Sequence, residues 1–85
     1  MKKKIDKAEL FAAIDRGELT LGAAVRMMRK SIGLTQIEYA KLIGIAPRIV
    51  IDLERGVGNP TLKSLAIIGK PFGLEVAFRR RTRAG

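Results

Sequence analysis

Eighty-five residues, 47% of them hydrophobic and 5% aromatic, make one small aliphatic domain that a second copy would help to stabilise. The lack of cysteine and histidine excludes disulfides, thiolate metal sites and thiol or imidazole catalysis, and no apolar run approaches the ~20 residues of a membrane span. A net charge of +9 points to a polyanionic partner, although Lys2, Lys3, Lys4, Arg79, Arg80, Arg81 and Arg83 supply seven of the 17 basic residues, leaving ten basic against eight acidic over residues 5–78.

The body is therefore close to neutral, with a basic arm at each end. Such an arm serves either as a solvated tail or as a grip on phosphates. The missing cysteines and the lack of an apolar signal segment predict a cytoplasmic protein.

Asp6 and Glu9 resemble a capping box, and Leu10, Phe11 and Ile14 form an apolar stripe that stops before Gly17. The pattern predicts a first helix over about residues 7–16. Thr20 can cap a second, whose apolar positions Leu21, Ala24, Val25, Met28 and Ile32 recur at helical spacing until Gly33. Thr35 with Glu38 gives the T-x-x-E box of a third helix, which reaches Ile43 before Gly44.

Pro47 suits the first turn of a fourth helix, because its missing N–H would be unpaired there in any case. Val50 and Leu53 anchor that helix until Gly56. After the turn "GVGNP", Asn59 or Thr61 caps a fifth helix that carries Leu62, Leu65, Ala66 and Ile68, and Pro71 ends or distorts it. The period then changes. Phe72, Leu74, Val76 and Phe78 alternate with Gly73, Glu75, Ala77 and Arg79, which predicts a strand. A lone strand on a helical chain finds its cheapest partner in the same strand of a second subunit, so these four residues are the expected dimerisation contacts.

The third and fourth helices, joined across Gly44 in about three residues, match the spacing of a helix-turn-helix. Ala40 is small where the two would cross, and Ile43 and Ile45 join Val50 and Leu53 in fixing their angle. The run "LTQIEYAKLIGIAPRIVIDLERG" followed by "NPTLKSL" resembles the Xre family of lambda-repressor-like proteins over residues 21–74. The resemblance implies an all-α fold of five helices, to which the residue pattern adds the C-terminal strand paired across a homodimer. The expected organisation is a basic start with an extra helix (1–19), the helix-turn-helix domain (20–71), the dimerisation strand (72–79) and a basic flexible tail (80–85).

Residue by residue, the resemblance implies that Gln36 contacts the DNA backbone and braces the recognition helix. It implies that Glu54 pairs with an arginine of an earlier helix, here Arg29 by spacing, as a structural link. Thr35 is a cap whose place at a helix N-terminus also suits a phosphate. Period alone puts Pro47, Arg48, Ile51, Asp52 and Arg55 on the face of the fourth helix opposite Val50 and Leu53. In the family that face enters the major groove of double-stranded DNA.

There Arg48 can take guanine bidentately, Ile51 can touch a thymine methyl and Arg55 can grip phosphate. Asp52 either accepts from cytosine or pairs with Arg48 or Arg55. The chain departs from the family at Pro47, at Ala46 where a capping Ser is usual, and at Ile51 and Asp52. Those departures fit either an unusual site read mainly by Arg48 or a weakened grip on DNA. Ile37 and Leu42 are also apolar where the family is polar; either they form a contact site for a partner protein or, as the favoured expectation, the first helix folds back over them.

The leading functional reading is a dimeric repressor of its own operon that binds a palindromic operator. The short chain offers no room for a sensor domain, so a signal would arrive through another protein, as in antitoxins of the HipB and HigA type with a cognate toxin; a phage-type or stand-alone repressor is the sibling alternative. The alternative is a protein-interaction adaptor that uses the same fold without reading DNA. Neither an enzyme nor a metal site is expected: without His or Cys, a nucleophile would have only Ser31, Ser64, Thr or Lys, and no cofactor motif is present.

Overall fold

The computed structural model describes residues 5–17 and 19–80. They form α1 (Lys7–Arg16), α2 (Leu21–Ser31), α3 (Gln36–Ile43), α4 (Pro47–Arg55) and α5 (Leu62–Gly69), then a 3-10 turn, Lys70–Phe72. The expected all-α arrangement of five helices is what the chain adopts. Lys2, Lys3, Lys4 and everything beyond Arg80 in the basic tail lie outside the described residues.

Four helices start on a side-chain oxygen that accepts from a backbone N–H of the first turn. Asp6 accepts from Ala8, Thr20 from Ala23, Thr35 from Glu38 and Thr61 from Ser64. A cap of this kind contributes about 1 kcal/mol. At Thr35 the box closes in both directions, since the Glu38 carboxylate accepts from the Thr35 N–H at 2.9 Å. Helix α4 is the exception: Ala46 offers no side-chain cap, and Pro47 stands at its start. Between α3 and α4 the turn is tight because Gly44 takes a left-handed φ of 77°. The N–H groups of Gly44 and Ile45 then both donate to the Ala40 carbonyl, at 2.9 and 3.0 Å.

The largest fully buried side chains are Leu10, Val25, Tyr39, Val50 and Ile68, one from each helix. Helix α1 therefore belongs to the same core as the helix-turn-helix. Burying an aliphatic side chain of this size contributes roughly 1.5–3 kcal/mol. The Tyr39 hydroxyl donates to the Ile68 carbonyl of α5, and its ring faces Phe72 with centroids 6.4 Å apart. Burial pushes the Tyr39 phenol up to about 12.

Helix α4 packs on both α2 and α3. The α2–α4 approach is backbone on backbone, since a Cβ on Gly22 would overlap the Leu53 carbonyl oxygen and press on Glu54.

Two expectations are corrected. Helix α1 does not cover Ile37 and Leu42, which stay 61% and 64% exposed; it packs on α2 and spends Leu10 and Ala13 there. Nor is there a strand among the described residues. Phe72 closes the 3-10 turn and is buried against Tyr39, so it is not a free dimerisation contact.

Gly73, at φ 68°, turns the chain back on itself, and the Leu74 N–H donates to the Gly69 carbonyl at 3.0 Å. Residues 74–77 then border a cleft with Val25 and Met28 of α2 and Leu65 of α5, and the Arg79 guanidinium comes to rest beside Gly17. Exposure rises along this segment, from half-buried Leu74 to Val76 at 48% and Phe78 fully exposed. Alternation alone does not make a strand: that requires a neighbouring edge for its N–H and C=O groups, which the helical body does not offer.

Candidate nucleic-acid interface

Helix α4 has an inner and an outer side. On the inner side Val50 and Leu53 are buried and Glu54 is clamped. Arg29 of α2 meets the Glu54 carboxylate with two parallel bonds, Nε to Oε2 and Nη2 to Oε1, each 2.9 Å. The third guanidinium nitrogen donates to the Leu34 carbonyl at 2.9 Å, and Gln36 of α3 donates its amide to Glu54 Oε1 at 3.2 Å.

One carboxylate thus ties α2 and the first turn of α3 to α4, and its partner Arg29 holds the α2–α3 turn as well. The side chains of Arg29 and Glu54 are only 12% and 5% exposed. The bond to Glu54 is the largest influence on the Arg29 guanidinium and raises it above its ordinary range despite burial. This is the structural pair that the resemblance implied, with bracing by Gln36.

On the outer side Pro47, Arg48 and Arg55 are exposed, while Ile51 and Asp52 are half-buried. All five lie on the face that the helical period gave them. An ion pair links Arg48 to Asp52 at 3.7 Å, and none links Asp52 to Arg55 among the described residues. Thr35 is engaged as a cap at the start of α3, where its hydroxyl hydrogen is still able to donate to an anion. The four residues expected to dimerise are not brought together: Phe72 is in the core, and only Val76 and Phe78 are largely exposed.

Sequence reasoning missed three contacts. These are the Arg29 bond to the Leu34 carbonyl, the backbone approach at Gly22 and the Tyr39 hydroxyl bond. A glycine inside an otherwise good helical run was the one available sign, for the second of them.

A tight two-helix unit with a braced inner side and a polar outer face defines a helix-turn-helix DNA-binding domain, a non-enzymatic fold. The helix-turn-helix family model matches residues 25–78, and the chain belongs to that family, of the Xre-like type. It is 29% identical to the immunity repressor protein of Bacillus phage phi105 over 59 residues, which are 69% of this chain and 41% of that protein. It is 37% identical to an uncharacterized HTH-type transcriptional regulator of Methanothermobacter thermautotrophicus over 51 residues, 60% of this chain and 74% of the other.

Multiprotein-bridging factor 1 of Candida albicans shares 26% identity over 73 residues, 86% of this chain and 48% of its own. The chain spans about half the length, or less, of the phage and fungal relatives. No solved structure matches it. Among the described residues no helix is long and apolar enough to cross a membrane, and no cluster of acidic side chains could hold a metal ion.

Proposed function

We propose that this domain reads a palindromic operator in double-stranded DNA as a homodimer and represses transcription from the cytoplasm, including that of its own operon. The observation that carries the reading is the outer face of α4. Arg48, Ile51, Asp52 and Arg55 are presented together while Glu54, one position from Arg55, is locked inside. Two such helices about 34–36 Å apart would meet successive turns of the major groove. A toxin bound to the same dimer is the antitoxin form of this reading. The Bacillus phage relative is named as a repressor, which supports the regulatory role.

The test is selection of bound sequences from random duplex DNA at one fixed, physiological salt concentration, because any grip of the basic arms on phosphates would depend on salt and not on sequence. The wild type should enrich a palindrome, and Arg48→Ala should lose one base preference within each half-site. For the dimer, the exposed Val76 and Phe78 are the expected contacts. Val76→Glu with Phe78→Glu should therefore sediment as a monomer; a doubly substituted chain that stays dimeric sinks the tail contact.

A second reading, a protein-interaction adaptor, has its own observation. Ile37 and Leu42 remain exposed on α3, and Leu42 borders an apolar hollow with Ile67 and Pro71. The fungal relative named as a bridging factor covers more of this chain than the phage repressor does. A wild type that enriches no sequence from random duplex DNA favours the adaptor.

A further inference from the structure

An acid on a face that meets a polyanion needs an explanation, and Asp52 is the single acid on the outer side of α4. Its surroundings hold it still. The side chain is 27% exposed, against 74% for its partner Arg48. Its backbone carbonyl accepts from the Val57 N–H at 2.9 Å, part of the cap that ends α4 at left-handed Gly56 and starts the following loop. In that loop Gly58, at φ 84°, lies so close that a Cβ there would be 3.3 Å from the Asp52 Cβ. Asp52 is thus walled in by backbone, while Arg48 extends into solvent on a long stem.

The Arg48 Nη1 lies 3.7 Å from Asp52 Oδ1, one helical turn away. Resting on the reading of α4 as the DNA-facing helix, we propose that Asp52 is a positioning residue: it holds the Arg48 guanidinium for guanine and does not itself read a base. A guanidinium has five N–H donors, so one edge can rest on the carboxylate while another meets two acceptors. Guanine presents two acceptors, N7 and O6, in the major groove. Adenine presents N7 beside an N–H donor, and cytosine and thymine present no such pair. A carboxylate matched to Arg48 is also less repelled by phosphates than a bare one. An exposed pair of this kind contributes little to folding, so its effect should fall on selectivity.

The experiment uses the full chain as wild type, Asp52→Asn, Arg48→Ala and the double variant, each against random duplex DNA at one salt concentration, with melting measured in parallel. Asp52→Asn should melt with the wild type and bind unselected duplex more tightly. Its guanine preference should fall about tenfold at the base pair whose preference Arg48→Ala abolishes. Adding Asp52→Asn to Arg48→Ala should then cost nothing further at that pair. Should the asparagine amide rebuild a bond to Arg48, Asp52→Ala keeps the Cβ against Gly58 and removes the acceptor.

Unchanged guanine preference in both Asp52 variants overturns the proposal. So does loss of a cytosine preference at a neighbouring pair, which would make Asp52 itself the reader. A wild type that enriches no sequence at all removes the DNA reading of α4, and this inference with it.

Discussion

Two arginine–carboxylate pairs meet on α4, one reaching in from α2 and one within the helix, and they differ in almost everything except their chemistry. Arg29 and Glu54 meet at 2.9 Å with side chains 12% and 5% exposed; Arg48 and Asp52 sit at 3.7 Å with side chains 74% and 27% exposed. On the inner side the guanidinium has its remaining bond to the Leu34 carbonyl, and the carboxylate also takes the Gln36 amide. Each guanidinium nitrogen there already has a partner within the chain. On the outer side the guanidinium keeps most of its donors in water. Burial, not residue type, divides a pair that holds the scaffold from a pair that can meet a partner.

Breaking the inner pair should have the largest effect. Glu54→Ala leaves the Arg29 charge buried without its partner and should cost about 3–5 kcal/mol of stability, read as a drop in the denaturation midpoint. A variant that unfolds at the wild-type midpoint would show the inner pair to be as expendable as the outer one.

The Tyr39 hydroxyl bond to Ile68 is the next interior polar contact. Tyr39→Phe should cost about 1–3 kcal/mol by leaving the Ile68 carbonyl without this donor. It should also change the alkaline limb of stability. The folded chain keeps the Tyr39 proton to about pH 12, whereas an unfolded tyrosine releases it near pH 10. Stability from this group is complete below about pH 10 and falls as pH rises toward 12, by up to about 1.4 kcal/mol per pH unit. The phenylalanine variant should lack that fall; an equal loss in both proteins would trace it to other groups.

The smallest stability effect belongs to the outer pair. Arg48→Ala and Asp52→Asn should each stay within ~0.5 kcal/mol of the wild type while changing which duplexes are bound.

Much of the scaffold was readable from short local patterns, because helix ends are decided locally. Asp6, Thr20, Thr35 and Thr61 cap the helices they precede, and Gly17, Gly44 and Gly56 end theirs in the left-handed conformation. The outer face of α4 was equally readable, since the helical period fixes which residues share a side once Val50 and Leu53 are known to face inward. Partner choice across space was less so. Spacing allowed Asp52 to pair with Arg48 or with Arg55, and only the folded chain distinguishes them.

The tail was misread for a physical reason. Phe72, Leu74, Val76 and Phe78 do alternate, yet strand identity lies in a hydrogen-bonding neighbour that one short pattern does not encode. Instead Phe72 fills the core beside Tyr39, and the residues after Gly73 run back over the α2–α5 cleft. Ile37 and Leu42 failed differently, because the apolar stripe of α1 had a better site available on α2.

The close approach of Gly22 to the Leu53 carbonyl has a consequence for what each face of α4 tolerates. A helix seated backbone to backbone on its support takes most of its placement from its inner side, where Val50 and Leu53 are buried and Glu54 is clamped. Exposed Arg48 and Arg55 are then open to substitution at little cost to the fold, whereas half-buried Ile51 and Asp52 are less so. Position 22 has no such latitude: even the smallest side chain there would have to displace the backbone at Leu53 and Glu54.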